Sequence, residues 1–132
     1  TAKGQGLANA REYLEGRLRR SGLRPVQQTF SSRGDLGINI EVDLEGTSAK
    51  DEVIVIGAHY DTDAYCPGAD DNASGCAVLV ELARLRAARP HDRTIACVLF
   101  DRGAGRFAGS GDTGSHRSDT SATAVQAGSR AA

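Results

Sequence analysis

Two apolar runs, Val53-Ile54-Val55-Ile56 and Thr94-Ile95-Ala96-Cys97-Val98-Leu99-Phe100, constrain this chain more than anything else in it. Neither alternates with polar residues, so each reads as a strand covered on both faces, as central strands of an α/β sheet are. Between them, Cys76, Leu79, Val80, Ala83 and Ala87 recur at helical spacing. Strand, loop, helix, strand is the crossover unit of a parallel pair, and it places ligand sites beyond the carboxyl ends of the strands. Both the segment from His59 onward and the segment after Phe100 leave from that edge.

Upstream, Leu7, Ala10, Leu14 and Leu18 form one face of a helix whose other face carries Arg11, Glu15, Arg17, Arg19 and Arg20, with Ser21-Gly22 as a stop. Val26, Gln28 and Phe30 alternate weakly, whereas Ile38, Ile40, Val42 and Leu44 alternate cleanly with Asn39, Glu41, Asp43 and Glu45. These are two half-buried strands, expected to pair antiparallel. The pattern therefore predicts an α/β domain with helices near residues 5 to 21 and 72 to 88. Its mixed sheet is expected from residues 25 to 31, 37 to 45, 52 to 58 and 93 to 101, the last two adjacent and parallel. From Arg102 to Ala132, Gly, Ala, Ser, Thr and Arg dominate and Leu and Ile are absent. Residues 102–132 are expected to be a mostly disordered tail behind a domain of residues 1–101, because such a composition buries too little area to offset its ordering entropy.

The net charge is -1, the isoelectric point is near 6.2, and no Lys/Arg run stands out. Neither a nucleic-acid phosphate track nor an anionic membrane surface is indicated. No apolar run is long enough to span a bilayer, and the first residues lack the pattern of a signal peptide. The chain begins at Thr1 and contains no Met, which reads as an internal or processed piece whose compartment stays open. Cys66, Cys76 and Cys97 are odd in number and show no C-x-x-C spacing; Cys76 and Cys97 read as small buried hydrophobes.

The connection "GAHYDTDAYCPGADDNASG" packs a histidine and four aspartates between the first run and the helix. His59 and Asp61 sit two apart at a strand terminus and point the same way, and a metal-bound imidazole needs its second nitrogen held by an acceptor. Asp70-Asp71-Asn72 lies at a helix start, where the dipole favours carboxylates, and Pro67-Gly68 turns the chain back toward the strand ends. Taken one at a time, these features also suit a solvated histidine, loop acids and a helix cap.

The strings "VIVIGAHYDTD", "PGADDNASG" and "AVLVELARL" together resemble the signature of metallopeptidase family twenty-eight, the co-catalytic zinc aminopeptidases, whose relatives include glutaminyl cyclases. The resemblance covers about residues 5 to 101, the N-terminal half of that family's fold. It implies a partial three-layer α/β/α zinc-exopeptidase architecture, truncated after the second central strand. It also implies zinc, two ions per intact site, with His59 and Asp71 as ligands, Asp71 bridging, Asp61 orienting His59, and a cis peptide after Asp71. A peptide or an N-terminal amino acid is the implied substrate, and the family is often secreted or periplasmic.

Where the family carries two glutamates after the second strand, this chain has Gly103 and Ala104, and the only candidates for the later ligands are Asp112 and His116. The chain as given is accordingly expected to be an incomplete and inactive zinc exopeptidase; a non-catalytic remnant or binding module and a glutaminyl cyclase-like acyltransferase are the alternatives. One sheet edge is expected to lie uncovered and to favour self-association. The abrupt change of composition after Phe100 suggests a shifted reading frame, with in-frame divergence as the competing account.

Overall fold

The computed structural model describes residues 2–32 and 34–103. Helix α1, Ala2–Arg20, ends in a basic turn of Arg17, Arg19 and Arg20, which suits the negative end of its dipole. Gly22, at φ 78°, then closes it, with Leu23 N–H donating to the Leu18 carbonyl and Gly22 N–H to that of Arg19. Strands β1, Val26–Ser32, and β2, Asp35–Leu44, form the expected antiparallel pair, with Thr29 opposite Ile38. Strand β3, Ala49–His59, leads through a π-helical turn, Ala69–Ala73, into helix α2, Ser74–Ala87, and then into strand β4, Arg93–Phe100. Every predicted element is present, with ends shifted by a few residues.

The sheet order is β1-β2-β4-β3, with β4 antiparallel to β2 and parallel to β3. One core holds it together. Ile40, Val42 and Leu44 of β2 and Ile95, Cys97 and Leu99 of β4 point to the same side, where Leu14 and Leu18 of α1 and Cys76, Leu79, Val80 and Ala83 of α2 cover them. Both helices therefore lie on one face, and the second helical layer of the expected three-layer arrangement is not among the described elements. Cys76 and Cys97 are buried, and burial pushes both thiols up to about 11.

One expectation is corrected. The apolar run in β3 predicted a central strand, but among the described residues β3 pairs only with β4 and forms the edge. Ile54 and Val55 remain 43% and 40% exposed there, whereas residues 95–99 of β4 are buried throughout. Apolarity on both faces records what a strand is suited to have around it, and among the described residues β3 has a single neighbour. Among the described residues no helix is long and apolar enough to cross a membrane. The tail expected at 102–132 lies outside the described residues beyond Gly103.

Candidate metal centre

β3 and β4 end together, so His59 stands opposite Phe100 in the parallel register. Tyr60 N–H donates to the Phe100 carbonyl at 2.9 Å, carrying the ladder one residue further. The Tyr60 ring turns into the core, and its hydroxyl donates to the Ile38 carbonyl at 2.6 Å. This ties the start of the connection to β2 and leaves His59 on the opposite side of the chain. From below, the Cys76 thiol donates to the His59 carbonyl at 3.2 Å.

The connection then folds back on itself. Gly68, at φ 77°, makes the turn that Pro67-Gly68 predicted, and its carbonyl accepts from Ala73 N–H at 2.9 Å. Asp71 and Asn72 leave helical geometry, and the peptide bond between them is cis. Asn72 Oδ1 accepts from Gly75 N–H at 3.2 Å in the first turn of α2, and Thr62 donates to the Asp71 carbonyl at 3.2 Å. Of the two aspartates read as helix-start acids, Asp71 is turned toward the strand end. Its Oδ1 lies 2.9 Å from His59 Nε2.

The other imidazole nitrogen faces Asp61, as the His-x-Asp spacing predicted, but through a different atom. Nδ1 is 3.0 Å from the Asp61 carbonyl oxygen and 3.5 Å from its carboxylate. The carboxylate is engaged elsewhere, accepting the Gly103 N–H at 2.8 Å. A carbonyl oxygen only accepts, so Nδ1 carries the hydrogen, and in the neutral ring Nε2 presents a lone pair. That lone pair points at a carboxylate oxygen, and two acceptors at such a distance require a proton or a cation between them. His59 and Asp71 thus have the chemistry of a ligand pair, although among the described residues no third His, Cys, Asp or Glu joins them.

Of the residues singled out from the sequence, His59, Asp61 and Asp71 are brought together, and Gly103 lies beside them. Ala104, Asp112 and His116 lie outside the described residues. Sequence reasoning missed Tyr60, Asn39 and Asp101. Asp101 is 2% exposed; its N–H donates to Asn39 Oδ1 at 3.0 Å and its Oδ2 accepts from Ile38 N–H at 3.0 Å. The only available signal was an Asn in an otherwise acidic set of alternating polar positions, Asn39 before Glu41 and Asp43.

The sequence pattern of peptidase family M28 matches residues 39–125. The protein YfbL of Escherichia coli K12 is 41% identical over 87 residues, covering 60% of this chain and 26% of YfbL. Aminopeptidase YwaD of Bacillus subtilis is 39% identical over 49 residues, covering 37% of this chain and 11% of YwaD. Among solved structures, the glutaminyl cyclase of Tannerella forsythia superposes with a TM-score of 0.60 at 25% identity, covering 76% of this chain and 41% of the cyclase. The chain thus spans less than half the length of each of these relatives. The family match extends to residue 125, past the residues 5 to 101 over which the resemblance was expected.

Proposed function

Because this chain belongs to peptidase family M28, we propose that His59, Asp61 and Asp71 are the strand-end portion of a zinc exopeptidase site of the aminopeptidase type, and that the chain alone does not hydrolyse peptides. The observation that carries this reading is the 2.9 Å approach of His59 Nε2 to Asp71 Oδ1, with Nδ1 held from behind by Asp61. His59 would supply the neutral nitrogen ligand and Asp71 the anionic one. The Asp61 carbonyl fixes the tautomer that leaves Nε2 open. Zinc, when bound, polarises a carbonyl and acidifies a water molecule. Gly103 and Ala104 supply no carboxylate to take the proton from such a water, so a general base is missing at the positions where the family resemblance puts it.

Two ligands of the four that zinc prefers bind it weakly. Calorimetric titration of the metal-free protein should give weak zinc binding that His59→Ala and Asp71→Asn each abolish, and pure protein should leave an aminoacyl-nitroanilide intact. Tight stoichiometric binding that survives His59→Ala, or steady hydrolysis abolished by chelator, would overturn the reading. A glutaminyl cyclase-like activity is the second reading, favoured by the superposition on the Tannerella enzyme. Cyclisation of an N-terminal glutamine without hydrolysis of the nitroanilide would select it.

A further inference from the structure

Between α1 and α2 lies a cavity of about 360 Å³, within the range of small-molecule sites. The sequence accounts for the gap. Here α1 presents Ala10 and the start of α2 presents Ala73 and Ala77, and methyl side chains leave room that larger ones would fill. The floor is made by Leu14, Tyr60, Cys76 and Val80, all buried in the core. Thr62, Gly68 and Asn72 form the wall on the side of the connection, and that wall is tied down. Thr62 donates to the Asp71 carbonyl, the Gly68 carbonyl accepts from Ala73 N–H, and Asn72 Oδ1 accepts from Gly75 N–H. A packed floor and a bonded wall make the cavity preformed, which spares a ligand the cost of ordering it. His59 and Asp71 do not border it, so it is separate from the metal pair.

The rim sets the chemistry. Arg17 and Glu81 border the cavity there, beside the exposed ring of Tyr13. Arg84 grips the Glu81 carboxylate with Nε at 2.9 Å and Nη2 at 2.6 Å. Those hydrogen bonds hold the Glu81 carboxyl below its ordinary value, and Arg17 adds to the shift through its charge alone. Two guanidinium groups thus stand against one carboxylate, and the one that borders the cavity is not the one that carboxylate bonds. We propose that this cavity binds a small apolar carboxylic acid as its anion, with the apolar body over Leu14 and Val80 and the carboxylate on Arg17. Nothing in this assignment depends on zinc.

The test is an NMR titration of the isotope-labelled full chain with hydrocinnamate and, in parallel, with hydrocinnamamide, which has the same body without the charge. Amide-shift changes should gather on Ala10, Thr62, Asn72 and Ala77, and the acid should bind about threefold or more tightly than the amide, as an exposed ion pair allows. Arg17→Gln should bring the acid down to the affinity of the amide and leave the amide unchanged. Ala77→Phe fills the cavity from an exposed position and should abolish binding of both with the urea midpoint close to the parent's. No shift changes, changes scattered over the surface, equal affinity for acid and amide in the parent, or full acid affinity retained in Arg17→Gln would each overturn the proposal. Should Ala77→Phe unfold the chain, Ala10→Leu fills the same space from the facing helix, and undiminished binding in that variant would equally overturn it.

Discussion

Asp101 shows how far a single carboxyl can be shaped by its surroundings. Burial raises its pKa, the Ile38 N–H partly opposes that shift, and the negative charge of Asp61 adds to it. Its Oδ1 has no hydrogen-bond partner among the described residues. A carboxyl whose folded pKa exceeds its unfolded value holds its proton more tightly in the fold. Its contribution to stability is greatest below the unfolded pKa and is lost as pH rises through the folded one. Asp101→Asn keeps an acceptor for Ile38 and removes the charge, so its urea midpoint should gain on the parent as pH rises from the ordinary Asp value of about 4. Parallel midpoints from there upward would show that Asp101 is not held above its ordinary value. His59, Asp61 and Asp71 were legible as neighbours because they sit at a strand end and a helix start, while the roles expected of them came from the family resemblance alone. Asp101 was not, because an acid after an apolar run reads as a solvated strand end until Ile38 and Asn39 are seen to close over it.

The elements were legible wherever one face alone is buried, since alternation in β2 and the stripes of α1 and α2 follow directly from it. The place of β3 in the sheet was not, because a run apolar on both faces says nothing about which neighbours are present. The difference between a central and an edge position is measurable. Ile40 is fully buried in β2, and Ile40→Ala should cost about 2–5 kcal/mol in urea unfolding. Ile54→Ala, on the half-exposed edge, should cost no more than about 1 kcal/mol. Equal costs at the two positions would mean that β3 is covered as fully as β2 in solution.

For the whole molecule, no described strand pairs with the outer edge of β3, where Ile54 and Val55 are exposed, and we propose that copies of the chain associate there. Asp51 and Glu52 at its start are charges of the kind that blunt such edges, and the apolar stretch that follows has none. Sedimentation of the parent chain should show concentration-dependent association that Val55→Lys suppresses, and a parent that stays monomeric at high concentration would end the idea. The strand order has another consequence, this one for synthesis. β4 emerges from the ribosome after the other three described strands, yet it lies between β2 and β3, with Ile40 opposite Leu99 on one side and Ile54 opposite Ile95 on the other. The nascent β1–β2 hairpin and the apolar β3 must therefore wait, separated, for a keystone translated after them. A chain that ends before Arg93 would have the residues of α1 and α2 but not the strand their core closes on, the state in which chaperones are most needed.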